Sequence, residues 1–226
     1  MRVARVLMFC LLASVVACSC EKDKNCDFDG AYQFEIPATL SPALDTFQVG
    51  DTIHFSSRFS DEVFELKTSQ TYSLKSFDFY PITYVYRIDT NISSSGMLLK
   101  SLDSFTSLIN PKFDYAEFIF NDGSTVLTGT YLYEQNEYVL EFDLITLKEG
   151  LYTLQHGSRL ATQEGQTFPN KCKDSRIEAI VNLNNNSSNN IDLLLQSPDP
   201  HWNDWVLQKP NERYHKFGGY TFYVIE

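Results

Sequence analysis

After residue 30, this chain consists largely of short runs in which aromatic and β-branched residues alternate with polar ones. Residues 32–36 show the pattern clearly, and a proline at position 37 marks the end of that predicted strand. Because successive side chains of a strand point to opposite faces, such alternation indicates half-buried strands rather than helices. The strongest further segments are 80–89, 113–120, 124–135, 137–147 and 176–183. No long helical period interrupts them, so the sequence predicts an all-β fold.

One turn between two of these segments indicates how the strands are layered. Glu149 and Gly150 make the turn, and Tyr152 then enters a new strand. This arrangement resembles the tyrosine corner of immunoglobulin-like sandwiches, in which a Tyr hydroxyl bonds backbone a few residues upstream. Leu154 stands where antibody domains carry a Cys, so the antibody disulfide is not implied. The resemblance implies an immunoglobulin-like β-sandwich, either one enlarged domain or two modules.

The C-terminal part differs in composition from the strands before it. Residues 182–190 are an Asn/Ser loop in which we expect nothing to be buried. Residues 190–197 favour one or two helical turns, and Asp199 before Pro200 fits the start of another. Residues 218–226 alternate again and predict a terminal strand. The fold prediction is therefore a β-sandwich with a short helical turn near the C-terminus.

The first residues have the form of a secretory signal peptide. Arg2 and Arg5 precede an apolar run over 6–17. Twelve helical residues rise roughly 18 Å, short of the ~30 Å of hydrocarbon that a spanning helix crosses. We therefore predict a leader at 1–17, a tether at 18–27 and a β-sandwich region at 28–226. A sub-boundary, if the region has two modules, falls near 110 or at 182–190.

The end of the leader reads Val15-Val16-Ala17-Cys18, which resembles a bacterial lipobox. The resemblance implies that Cys18 carries the lipid, with Cys20 as the alternative. The charged tether Glu21–Lys24 resembles the surface-export signals of Bacteroidota-type lipoproteins. The chain is thus predicted to be anchored to the outer membrane through its N-terminal lipid and exposed at the cell surface, with a periplasm-facing position as the alternative. Several acyl chains on one residue give the two signals that stable anchoring requires.

The net charge of the chain disfavours some classes of partner, and its cysteines allow one disulfide. The chain has 18 basic and 29 acidic residues, and its net charge is −11. Loss of two leader arginines makes the mature charge −13, which disfavours nucleic acid and anionic lipid surfaces as partners.

Beyond the lipid candidates lie Cys26 and Cys172, which form a disulfide or remain two buried thiols. A bridge over that loop would contribute about 4–5 kcal/mol in the chain-entropy model.

Motifs for catalysis or for a cofactor are absent: no nucleophile elbow, phosphate loop or zinc-protease helix occurs in the sequence. We therefore predict no catalytic residues, no resident metal and no cofactor. The sequence favours a binding or structural module at the cell surface. The alternative is a glycan-active hydrolase or a carbohydrate-binding accessory protein, with Asp199 and Asp204 as the candidate carboxylates. A hydrolase would need two such groups about 5–9 Å apart.

The candidate ligand-binding residues lie together in segment 199–205, which contains both tryptophans of the chain. Exposed Trp rings stack on sugars or anchor protein partners, and nearby polar groups fix orientation. The competing interpretation is that both rings fill the core, since aromatic side chains supply so much burial. A metal site made of Asp199, His201, Asp204 and His215 has weaker support, because the ligand spacing is not distinctive. The candidates are His201, Trp202, Asp204 and Trp205.

Overall fold

The computed structural model describes residues 30–75, 77–91, 98–160, 167–172 and 175–226, without the side chain of Asn186. The predicted leader and tether, with Cys18, Cys20 and Cys26, lie outside the described residues. Within those ranges, no helix has the length and apolar character needed to cross a bilayer. The strands are β1 (Ala31–Ser41), β2 (Thr46–Gln48), β3 (Thr52–Ser60), β4 (Glu62–Glu65), β5 (Gln70–Ser73), β6 (Phe79–Arg87), β7 (Phe105–Ile109), β8 (Tyr115–Ile119), β9 (Thr125–Gly129), β10 (Leu132–Glu134), β11 (Glu137–Thr146), β12 (Gly150–Leu160), β13 (Arg176–Leu183) and β14 (Tyr220–Ile225).

Two sheets pack face to face and form a β-sandwich, as the sequence predicts. The first sheet has the order β10-β11-β3-β1-β4-β5, with β13 parallel to β1 and β7 beside β11. The second has the order β2-β14-β12-β6-β9-β8. Alternating residues of both sheets point inward and make one apolar core that is rich in aromatic rings. The all-β prediction is therefore confirmed.

The first strand is longer than the sequence pattern indicates. A strand that ends at Pro37 was the expectation, but β1 continues through Pro37 to Ser41. Its antiparallel partner is β4 at Phe34 and β3 from Thr39 onward, so Pro37 lies between the two partners. Proline is tolerated at such a point because the antiparallel ladder is interrupted there.

The predicted tyrosine corner is present at the start of β12. Tyr152 is fully buried, and its hydroxyl donates to the carbonyl oxygens of Lys148 at 3.1 Å and Glu149 at 3.2 Å. These residues connect β11 in one sheet with β12 in the other. The hydroxyl therefore fixes the chain where it crosses between the layers, as the resemblance implied.

A chain of hydrogen bonds crosses the core between the sheets. His156 is fully buried; its Nδ1 lies 2.7 Å from the hydroxyl of Thr83, and its Nε2 lies 3.3 Å from that of Tyr131. Tyr131 donates to Ser57, which donates to the carbonyl of Pro37. Because the Tyr131 hydroxyl donates its proton to Ser57, it can only accept from His156. Nε2 therefore donates to Tyr131, and Nδ1 accepts from Thr83. Burial lowers the pKa of His156 to about 3, so at neutral pH the ring carries only the Nε2 proton and Nδ1 is free to accept.

The Asn/Ser loop differs from its prediction, because it is hydrogen-bonded and partly buried. Asn184 Oδ1 accepts the N–H of Leu40 at 2.9 Å, and the buried Asn189 accepts the Tyr214 hydroxyl on its carbonyl at 2.6 Å. Asn184, Asn189 and Asn190 have left-handed backbone angles, which Asn tolerates better than most residues. The expectation of a loop with nothing to bury was wrong. Its Asn side chains and carbonyl groups can be buried because they hydrogen-bond to β1 and to Tyr214.

Candidate functional site

The candidate residues lie on a helical cap, residues 191–217, that packs on the outer face of the second sheet at β6, β12 and β14. The cap contains a 3₁₀ helix (Ile191–Gln196) and two π-helical turns (His201–Val206 and Asn211–His215). Further 3₁₀ turns occur at Leu102–Ser104 and Asn184–Asn186. The predicted helical turns near the C-terminus are thus confirmed. After the cap, the chain returns to the second sheet as β14, which is the predicted terminal strand.

Asp199 fixes the start of the first π-helical turn. Its carboxylate accepts the N–H of His201 at 2.9 Å, and only 1% of the residue is exposed. The side chain of Asn203 donates to the carbonyl of Ser197 at 2.7 Å and ties the turn to the preceding loop. The buried Asp199 carboxylate is therefore a structural group and does not line an open cleft.

The two tryptophans have different environments. Trp202 is 2% exposed and packs in a second apolar cluster with Tyr86, 5.3 Å between ring centroids. This cluster also contains Ile88, Leu151, Leu194, Val206 and Tyr214. Trp205 is 45% exposed on the surface of the cap. The core interpretation thus holds for Trp202, whereas Trp205 is available to a partner.

Trp205 is held by two planar groups. The His201 ring stacks on it with 4.8 Å between centroids and 26° between planes. The guanidinium carbon of Arg213 lies 3.9 Å from the Trp205 ring centroid, and the same guanidinium donates to the carbonyl of Trp205. A cation at this distance from an indole is attracted by the ring electrons. The three side chains form one ordered surface cluster, His201–Trp205–Arg213.

The surroundings of His201 in this cluster favour its neutral form. Burial lowers the pKa of His201, and the nearby Arg213 guanidinium lowers it further, although Asp199 acts in the opposite direction. Asp204 is exposed and accepts a hydrogen bond from Gln208 at 3.1 Å. Arg213 therefore carries the fixed positive charge of the cluster, and sequence reasoning missed this residue. Trp205 and Arg213 lie in two separate helical turns on either side of Pro210, so no single helical period in the sequence indicates their contact.

The other predicted groups do not assemble into a reactive centre in the described part of the chain. No group of three or more His, Cys, Asp or Glu residues there could hold a metal ion. Burial lowers the pKa of His215, whose ring packs edge-on against Tyr214 at 5.2 Å. Cys172 is buried, but Cys26 lies outside the described residues. The bridge between these two cysteines stays a prediction.

Three concave regions of the described structure are small. One of about 210 Å³ lies among buried aromatic rings near Tyr131 and Tyr138, and another of about 200 Å³ lies beside Phe217. A third, of about 340 Å³, adjoins the Arg87–Asp89 ion pair. Pockets for drug-sized ligands span about 300–1,000 Å³, so these three lie at or below the lower end.

Comparisons with known proteins find distant structural neighbours only. No protein-family model matches the chain, and no curated protein matches its sequence. The human F-spondin reeler domain is similar with a TM-score of 0.33 and 9% identity, over 66% of this chain and 84% of that one. The second type II cohesin module of the ScaA scaffoldin from Acetivibrio cellulolyticus has a TM-score of 0.29 and 8% identity, over 65% and 94%. The Actinomyces fimbrial adhesin FimA has a TM-score of 0.24 and 13% identity, over 63% and 54%. Likenesses this distant assign no function.

Proposed function

We propose that this chain is a lipid-anchored binding module of the bacterial cell surface that holds a protein partner through the His201–Trp205–Arg213 cluster. The observation that carries the proposal is the exposed Trp205 ring, ordered by His201 and Arg213. Trp and Arg are the residue types that most often dominate protein interfaces. Because their positions are already ordered, little side-chain entropy is lost on binding.

A protein partner fits this surface better than a sugar does. A sugar ring stacks on an open aromatic face, but His201 and Arg213 already lie against the Trp205 ring. The three concave regions of the described structure also lie at or below the lower end of the volumes that enclose a small ligand. A protein surface, in contrast, can contact the exposed part of Trp205 together with the Arg213 charge. The lipobox pattern at Cys18 supports the position of the module at a membrane.

The test uses full-length protein with one exposed residue of the cap changed at a time. The native chain, Trp205→Ala and Leu195→Ala are used to capture proteins from solubilised envelopes, and the affinity of each captured protein is then measured. Leu195 is 60% exposed on the same cap and serves as the matched control. We expect Trp205→Ala to weaken binding about 30-fold, since loss of a hot-spot residue costs at least ~2 kcal/mol.

Other results would contradict the proposal. If a partner binds the native chain and Trp205→Ala equally well, the cluster is not the contact surface. If a glycan array shows sugar binding that Trp205→Ala abolishes, the carbohydrate alternative replaces the protein partner. Trp202→Ala is unsuitable for this test, because removing a buried Trp costs about 3–5 kcal/mol of stability.

A further inference from the structure

Strand β8 forms an open edge of the second sheet. In the described structure it pairs with β9 and with no other strand. Every residue of β8 after Tyr115 is exposed, including Phe118 at 51% and Ile119 at 67%. An unpaired edge with exposed apolar side chains is a template for the addition of another strand.

The hydrogen bonds of the β8–β9 hairpin show which backbone groups remain on this edge. Beyond the end of β8, the N–H of Phe120 donates to the carbonyl of Ser124 at 2.8 Å. Because backbone groups alternate in direction along an antiparallel strand, the even-numbered residues of 114–120 bond toward β9. Glu117 and Ile119 therefore direct their N–H and C=O groups away from the sheet.

We propose that β8 pairs with β8 of a second copy of this chain, antiparallel, about a two-fold axis at Phe118. Glu117 then lies opposite Ile119 of the second copy, and the two residues exchange both backbone hydrogen bonds. The symmetry repeats this pair, which gives four hydrogen bonds in all. The two Phe118 side chains meet across the axis as a close, non-hydrogen-bonded pair. The second sheets of the two copies thereby become one continuous sheet.

Charge and strand length favour the register with its axis at Phe118 over those with the axis at Glu117 or Ile119. An axis at Glu117 would also satisfy the outward backbone groups, but it would place two carboxylates directly opposite each other, which is destabilising. Moving the axis to Ile119 would require outward bonds from Asn121, which lies beyond the end of β8 in a tight turn. The axis at Phe118 avoids both costs. The strand is thus complementary to itself, and this self-complementarity identifies a second copy as the occupant.

The Glu117 side chain lies on the face of β8 that is directed toward the first sheet, away from the Phe118 rings that would meet in the dimer. Its carboxylate accepts a hydrogen bond from the hydroxyl of Ser107 on β7, in the opposite sheet. On the other face of β8, Phe118 packs edge-on against Phe120 at 5.1 Å, and the ammonium group of Lys100 lies 4.3 Å from the Phe120 ring centroid. The apolar rings and the acidic group therefore lie on different faces of the strand.

Cysteine cross-linking tests the pairing in the full chain. Phe118→Cys is expressed in cells and oxidised mildly before lysis, and the native chain supplies the background from its own cysteines. Residues of a non-hydrogen-bonded pair have Cα atoms about 4.5 Å apart, which suits a disulfide. We expect most of the Phe118→Cys chain to run as a reducible dimer. Leu108→Cys, on the exposed edge strand β7, is expected to stay monomeric.

A second variant separates loss of pairing from loss of folding. Ile119→Pro, added to Phe118→Cys, removes an N–H that faces away from β9, so the hairpin keeps its bonds but the dimer loses two. We expect the cross-linked fraction to fall at least fivefold, while Ile119→Ala retains most of it. A monomeric Phe118→Cys chain, or equal cross-linking of Leu108→Cys, would overturn the proposal. Cross-linking should also increase with salt, because each copy carries a net negative charge and salt screens the repulsion between the two copies.

Discussion

His156 shows how one buried side chain makes stability depend on pH. In the unfolded chain its imidazole binds a proton near pH 6.5, whereas burial lowers the folded pKa to about 3. The stability contributed by the neutral ring is therefore complete above pH 6.5 and is lost as the pH falls toward 3. We expect a loss of about 2 kcal/mol between pH 7 and pH 5, measured by urea denaturation.

The variant His156→Gln isolates this effect. It cannot titrate, so its stability should depend less on pH over that range, although its absolute stability will be lower. Some pH dependence of the same sign should remain, because burial also lowers the pKa of His201 and His215. Glu65 and Glu178, whose pKa values are lowered from 4.5, act mainly below pH 5. An unchanged slope in His156→Gln would show that the buried imidazole is not the source.

At the scale of single elements, the tyrosine corner holds the connection between β11 and β12. Tyr152→Phe removes the hydroxyl that bonds Lys148 and Glu149 and keeps the ring in the core. We expect a loss of about 1–2 kcal/mol in the free energy of unfolding, because two carbonyl oxygens lose a partner. Thermal and urea denaturation measure this loss.

Tyr223→Phe on β14 is the matched control for that substitution. Tyr223 lies opposite Leu151 in the same sheet, and its hydroxyl makes no hydrogen bond to another described residue. Its replacement should cost less than about 0.5 kcal/mol. Equal losses in the two variants would mean that the crossover is held by ring packing and not by the hydroxyl.

For the whole molecule, the proposed lipid anchor decides where the sandwich acts. We expect mass spectrometry of the mature N-terminal peptide to show acyl groups on Cys18. Cys18→Ser should leave the leader uncleaved and the chain without lipid, whereas Cys20→Ser should be processed like the native chain. An unmodified Cys18 thiol in the mature native protein would remove the basis for the membrane position.

Most of the fold prediction came from the alternation of apolar and polar residues along single segments. Alternation and turn residues located β6, β11, β13 and β14 within about one or two residues, because a strand pattern depends on its own side chains. The tyrosine corner was also predictable, since its hydrogen bonds span only three or four residues. The continuation of β1 beyond Pro37 was not, because it depends on which strands lie beside it.

The sequence by itself determined the strand content, the crossover at Tyr152 and the likeness to a lipoprotein leader, since each depends on neighbouring residues. Only the tertiary structure decided that Trp202 is core and Trp205 is surface, although the two lie three residues apart. It alone also placed Arg213 against Trp205, buried His156 between the sheets and left β8 on an edge. The physical reason is that burial and pairing depend on residues distant in the chain, which local patterns do not encode.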